Sequence, residues 1–206
     1  MNGTSGIELG ENEVPMDFIN EVRKRINILS LAGLNPGTPS LELGFMGEFG
    51  FSSWLTKYHV DFDHRTVSNP TELLTDFILF DSAKEKNSIR VDVKTSWVRP
   101  PHVSRIISVD QFHSIPTHSD VLVWAFYSGQ RKSITIDSWT LVKEFTEARI
   151  KTVTAPPDLP ITNDPAIELE FSDTKLVYEI PSFLMRDIED LRLHLKNSRD
   201  GVSVLL

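Results

Sequence analysis

T-D-F-I-L-F (residues 75–80) and I-R-V-D-V-K-T (residues 89–95), joined by the polar segment D-S-A-K-E-K-N-S (81–88), decide the fold of this chain. Two strand-like runs around a short polar loop read as a β-hairpin. Side chains on a strand alternate between faces, so Asp92 and Lys94 share one face, about 7 Å apart, while Val91 and Val93 point to the other. A loop of five residues, Ser82–Lys86, is an allowed hairpin length. In that register Asp81 faces Asn87 and Asp76 faces Asp92, with Cβ atoms of opposed residues roughly 5 Å apart. A slip of one residue would send the two aspartates to different faces. In the expected register, two carboxylates and an ammonium converge on one patch of sheet. Like charges so close resist ionising together unless a cation joins them. Ligands that are all oxygen suit Mg²⁺ or Mn²⁺. The bland alternative is a surface Asp–Lys pair, worth roughly 0–1 kcal/mol and needing no function. The flanks argue against it. The neighbouring run is apolar on both faces, which marks a central strand, and charges there are costly unless paired or bound to a metal.

The whole chain sets bounds on this reading. Its 206 residues suit one domain, or one domain with a small appendage. We expect a tail over residues 1–12, polar, acidic and disordered, then a single domain over 13–206 with its core at about 40–137 and an embellishment at about 150–206. No apolar run approaches the roughly 20 residues that span a bilayer, and the N-terminus lacks the basic start and apolar core of a signal peptide. The absence of cysteine removes disulfides, zinc–thiolate sites and thiol nucleophiles. These features fit a cytoplasmic protein with no membrane partner. The formal charge of −8 is the wrong sign for a phosphate-binding surface, so any nucleic-acid contact would need a local basic strip.

Taken in order, residues 15–31 carry a helical pattern of Phe18, Ile19, Val22, Ile26 and Leu29. Gly33 and N-P-G-T-P stop it, and no G-K-[ST] follows to make a phosphate loop. Ser40 is placed to cap a second helix, in which Gly44, Gly47 and Gly50 lie along one face. Each glycine costs a helix about 1 kcal/mol relative to alanine. Their spacing points to close approach of this helix to a sheet or another backbone, with Glu48 beside that face. A first strand lies within 58–67, flanked by His59 and His64. After the hairpin comes W-V-R-P-P-H-V-S-R (97–105), a basic aromatic loop. Arg99, His102 and Arg105 there, with Lys57, are the candidates for a phosphate backbone, or else ordinary surface residues.

The second half reads as a short helix started by Ser108 or Asp110, a buried strand D-V-L-V-W-A-F-Y (120–127), a turn at Ser128-Gly129 and a strand K-S-I-T-I-D (132–137). A helix is expected from Trp139 to Arg149, then a proline-rich loop over 154–165. A hairpin of A-I-E-L-E-F (166–171) and L-V-Y-E-I (176–180) follows. From Pro181 an amphipathic helix should bury Phe183, Leu184, Ile188, Leu191 and Leu195. His102, His113 and His118 match no familiar zinc spacing, and Trp97, Trp124 and Trp139 read as core. No G-x-S-x-G, G-x-G-x-x-G or H-E-x-x-H motif occurs.

A helical glutamate, a strand aspartate, an aspartate-x-lysine on the adjoining strand, then a helix and an apolar strand together resemble the P-D-(D/E)-x-K nuclease superfamily, which includes type II restriction endonucleases. The matching residues are Glu48, Asp76 and the triplet Asp92-Val93-Lys94. Thr75 stands where the family usually has proline. The resemblance covers roughly Ser40 to Tyr127 and implies an α/β (α+β) fold, restriction-endonuclease-like, with a mixed β-sheet flanked by helices and an extra C-terminal hairpin and helix. It implies that Asp76, Asp92 and the Val93 carbonyl bind Mg²⁺, with Mn²⁺ as a substitute. Lys94 would hold or help deprotonate the attacking water, and Glu48 would reach the metal through water or serve a second ion. The implied activity is hydrolysis of DNA phosphodiester bonds by an endonuclease, as a homodimer when both strands are cut. The alternative is a non-catalytic nucleic-acid-binding or assembly protein that keeps the nuclease-like fold.

Overall fold

The computed structural model describes residues 38–65, 75–80, 88–96, 105–128, 133–147, 149–153, 175–191 and 193, with Asn20, Lys24 and Asn27 before them. Those three are helical and exposed, as polar positions of the expected first helix should be. The rest of that helix, the expected tail, the hairpin loop 81–87, and residues Trp97, Arg99 and His102 lie outside the described residues.

Helix α1 (Thr38–Lys57) begins ahead of Ser40. The expected cap therefore lies inside the helix, because Pro39 fits a first turn whose N–H groups have no helical acceptor. The helix ends where Val60 N donates to Leu55 O at 3.0 Å and His59 takes a left-handed φ of 55°. That reversal feeds strand β1 (Phe62–His64), followed by β2 (Phe77–Phe80) and β3 (Ser88–Ser96). Phe77 pairs with Val91 and Phe80 with Ser88, which is the register expected from the sequence.

Strand β4 (Arg105–Ser108) leads into helix α2 (Val109–His118), whose Ser108 Oγ accepts from Gln111 N at 3.3 Å. Strand β5 (Val121–Ser128) lies parallel to β3 and antiparallel to β6 (Ser133–Leu141). After a 3₁₀ turn (Val142–Glu147) come β7 (Arg149–Val153), β8 (Lys175–Ile180) and the two-residue β9 (Arg186–Asp187). Among the described residues, these strands form a mixed sheet in the order β1-β2-β3-β5-β6-β9 and a small antiparallel sheet, β4-β8-β7. The molecule is thus a mixed α/β fold with helices against its sheet. None of the described helices is long and apolar enough to cross a membrane.

The two faces of β3 and β5 have different cores. Val91, Val93, Val121 and Val123 pack with Phe51, Trp54 and Leu55 of α1. Leu122 and Trp124, in register beside Asp92 and Lys94, pack with Ile115 of α2 and with Ile107, Phe145 and Ile180. β5 is buried on both faces, as its continuous apolar run requires.

Several expected elements differ. The helix expected from Trp139 is instead the end of β6, because β9 pairs with it: Ser138 opposes Asp187 and Trp139 opposes Arg186. Trp139 Nε1 donates to Asp187 O at 3.0 Å, and the Arg186 guanidinium lies 5.1 Å from the indole. Both edges of β8 are taken, by β4 and β7, so its expected hairpin with 166–171, which lies outside the described residues, is not its pairing. The final helix does not open at Pro181. Ser182–Leu184 makes one 3₁₀ turn, Phe183 is 72 % exposed, and only after β9 do Ile188 and Leu191 enter the main core.

Candidate active site

The site forms where β2 stops and β3 continues. The β2–β3 ladder ends at Phe77–Val91, yet β3 runs on to Ser96. Asp76 fills the notch. Its backbone N–H donates to Val91 O at 3.2 Å, and its Oδ2 accepts the backbone N–H of Val93 at 2.7 Å. A carboxylate oxygen thus replaces the carbonyl that a longer β2 would have offered. Asp76 therefore sits near the plane of the sheet, within reach of groups from both faces.

Asp92 and Lys94 approach from the α2 side. Both belong to the face that carries Leu122 and Trp124. Lys94 Nζ lies 2.8 Å from Asp92 Oδ2. His118, in the last turn of α2, brings Nε2 to 4.0 Å from the same oxygen.

Glu48 arrives with α1, from the other side. The glycine beside it explains how. A Cβ on Gly47 would stand 1.8 Å from Thr95 Oγ1, so only glycine lets the helix lie this close to β3. Gly50 does the same against Ile134, at 2.6 Å, whereas nothing lies within 4 Å of Gly44. Two of the three aligned glycines mark the expected close approach. Glu48 is buried, and its Oε2 lies 2.7 Å from His64 Nε2.

The four residues singled out from the sequence are thus brought together. Their mutual electrostatics identify them as one group. Burial holds the Asp76 carboxyl well above the usual carboxylate range, and the charges of Asp92 and Glu48 push it the same way. A hydrogen bond with the Asp92 carboxyl adds to the rise, and Lys94 opposes it. For Lys94, burial favours the neutral amine, but the charges of Asp92, Asp76 and Glu48 outweigh it. Its pKa is therefore raised. Burial also lowers the pKa of His118, with Lys94 and Arg90 adding to the effect and Asp92 opposing it.

Among the described residues, no three His, Asp or Glu side chains stand grouped as ligands around a single point. Each carboxylate turns to a partner of its own: Asp76 to the Val93 N–H, Asp92 to Lys94 and Glu48 to His64. The donor set nonetheless suits a hard divalent cation. It is oxygen-rich and largely buried, and burial with the crowding of like charge raises the Asp76 pKa, a cost that a bound cation would relieve. Val93 suits it too. Its N–H faces Asp76, and on an extended strand the carbonyl of the same residue points to the same edge.

Of the candidates for contact with a phosphate backbone, Lys57 and Arg105 do not join this group, and Arg99 and His102 lie outside the described residues. Lys57 is exposed at the far end of α1, 5.5 Å from the Tyr58 ring and roughly 13 Å beyond Glu48 along the helix axis. Arg105 lies in β4, ion-paired with Asp137 and 4.7 Å from the centre of the Phe126 ring. Its surroundings are those of a packed structural cation. A comparison with protein-family models, curated proteins and solved structures finds no match to this chain.

The two histidines at the site were not singled out from the sequence as part of it. His64 is visible there only as the end of a strand, and His118 only as one of three histidines with the wrong spacing for zinc. Each reaches the carboxylates through a pairing distant in sequence, so local pattern carried no signal for it.

Proposed function

We propose that this chain is a metal-dependent nuclease of the P-D-(D/E)-x-K type, hydrolysing DNA phosphodiester bonds on a restriction-endonuclease-like fold. One observation carries the reading. Glu48 and Asp92 are buried and Asp76 half-buried around one ammonium, and desolvation together with the charges of Asp92 and Glu48 raises the Asp76 pKa well above the usual carboxylate range. The order of α1, three antiparallel strands, α2 and a strand parallel to β3 supports it.

Asp76, Asp92 and the Val93 carbonyl would hold the ion, with Glu48 joining directly or through water. A bound Mg²⁺ or Mn²⁺ would supply positive charge against the phosphate under attack and make a nearby water more acidic. The chain's own residues do the rest. Because the Asp76 pKa is raised, affinity for the ion should rise with pH through the titration of that carboxyl. Lys94, with Nζ 2.8 Å from Asp92, would act as a hydrogen-bond donor that orients the attacking water or a phosphate oxygen. Burial on the α2 side strengthens each of these interactions.

The test is direct. Purified protein with supercoiled plasmid and Mg²⁺ should nick or linearise it, and EDTA should stop the reaction. Lys94→Ala should abolish cleavage with an unchanged far-UV CD spectrum. The formal charge of −8 favours a second reading, a non-catalytic binding or assembly protein with the same fold. Wild-type protein that binds DNA in a salt-dependent way yet never cuts it would establish that reading.

A further inference from the structure

His64 lies outside the set that the nuclease reading requires, yet it is held as firmly as any residue at the site. It ends β1, where it pairs directly with Phe77, the residue after Asp76. Its ring stacks on the Phe77 ring, with centroids 4.3 Å apart and planes 14° from parallel. Its Nε2 is 2.7 Å from Glu48 Oε2, and the two side chains are only 14 % and 9 % exposed. A carboxylate oxygen accepts, so Nε2 is the donor. Turning the imidazole away from Glu48 would break the stack, and sliding β1 would break the pairing with β2.

Glu48 is the long-armed member of the site. Left alone, its carboxylate could meet an ion through both oxygens or swing away from it. With one lone pair of Oε2 engaged by His64, Oε1 is the less encumbered oxygen for an ion or its water. The choice between one oxygen and two bears on which ion fits. Ca²⁺ accepts bidentate carboxylates in a loose shell, whereas Mg²⁺ and Mn²⁺ favour compact octahedral shells.

We propose that His64 is a positioning residue: by occupying one oxygen of Glu48 it makes that side chain a one-oxygen donor and sets the centre's preference for Mg²⁺ and Mn²⁺ over Ca²⁺. This rests on the proposed metal-dependent activity, but its test does not use cleavage. Outer partners that orient ligands are worth about 10- to 100-fold in metal affinity.

The experiment titrates the full chain, without nucleic acid, with MnCl₂ and separately with CaCl₂ by calorimetry. Wild type is compared with His64→Phe, which keeps a ring against Phe77 but has no N–H, and with His64→Gln, which keeps an N–H. His64→Phe should bind Mn²⁺ about tenfold more weakly and lose its margin over Ca²⁺, while His64→Gln recovers most of both. Wild-type affinities in His64→Phe would overturn the proposal and leave the metal centre standing. So would a ¹⁴N coupling in the Mn²⁺ electron spin-echo spectrum that His64→Phe abolishes, since His64 would then be a ligand itself. Wild type that binds neither ion would overturn the proposed function along with this inference. If His64→Phe does not fold, the same Mn²⁺/Ca²⁺ ratio in His64→Gln decides: a ratio close to wild type upholds the proposal, and its collapse overturns it.

Discussion

Strand β3 carries two pairs of opposite charge four residues apart, and they have different characters. Arg90 binds Asp120 through Nη2 at 2.8 Å and Nε at 3.2 Å, and its backbone N–H joins Asp120 at 2.9 Å. Nη1 reaches Thr117 O at 3.0 Å. One cation meets one anion, each guanidinium nitrogen donates a hydrogen bond, and both side chains are more than a third exposed, at 38 % and 37 %. Lys94 and Asp92 are only 22 % and 9 % exposed, and Asp76 and Glu48 add two more acids to the group. The first pair is a closed clasp between β3 and the turn before β5. The second is short of positive charge. What separates a structural ion pair from a candidate active centre here is the charge count and the burial, not the residue types.

The largest contrast should be in activity. Lys94→Ala and Asp92→Asn should each lower plasmid cleavage on the order of 10²- to 10³-fold or more, measured with CD to confirm the fold. Arg90→Gln should cut at the wild-type rate. Equal losses in both sets would dissolve the contrast.

Stability against pH should separate the pairs by sign. The folded pKa of Asp76 is raised, so its contribution is fully present below the unfolded value of roughly 3.9 and is lost as pH climbs through the folded value. For Asp120, burial raises the pKa but the hydrogen bonds from Arg90 outweigh it, so the folded pKa is lowered. Its contribution is present above the unfolded value and is lost as pH falls through the folded one. Asp76→Asn should therefore raise the Tm of the metal-free protein at pH 7, with each 1 kcal/mol worth roughly 2–4 °C in a chain of this size. The gain should vanish near pH 4. A lower Tm at pH 7 would contradict the charge count.

The glycines refine the contrast through the helix that delivers Glu48. Gly47→Ala places a Cβ against Thr95 and should cost about 1–3 kcal/mol by urea unfolding, with cleavage reduced as α1 shifts off β3. Gly44→Ala meets open space and should instead stabilise by up to about 1 kcal/mol. The smallest effect belongs to the clasp itself. Arg90→Gln should cost about 1 kcal/mol or less, since exposed pairs are discounted by solvent, and high salt should shrink even that.

The part of the site that depends on local chain geometry was legible in the sequence. Once β2 and β3 form a hairpin, the strand alternation and the loop length put Asp76 beside Asp92 and turn Val91 and Val93 away. The glycines likewise announced a close approach before its partner, Thr95, could be known. Longer-range contacts were not legible. Trp139 looked helical because β9, which extends β6, lies almost fifty residues downstream. β7 and β4 flank β8 through pairings that no local pattern predicts. His64 and His118 reach the carboxylates by the same kind of non-local placement.

The claim beneath all of this is that Asp76 and Asp92 stand ready to share one divalent ion. A crystal soaked in MnCl₂ and recorded at the manganese absorption edge tests it most directly. The account predicts one anomalous peak between the Asp76 and Asp92 carboxylates and beside the Val93 carbonyl, with Glu48 turned towards it. A well-ordered site with no peak there, or manganese bound only elsewhere, would contradict it.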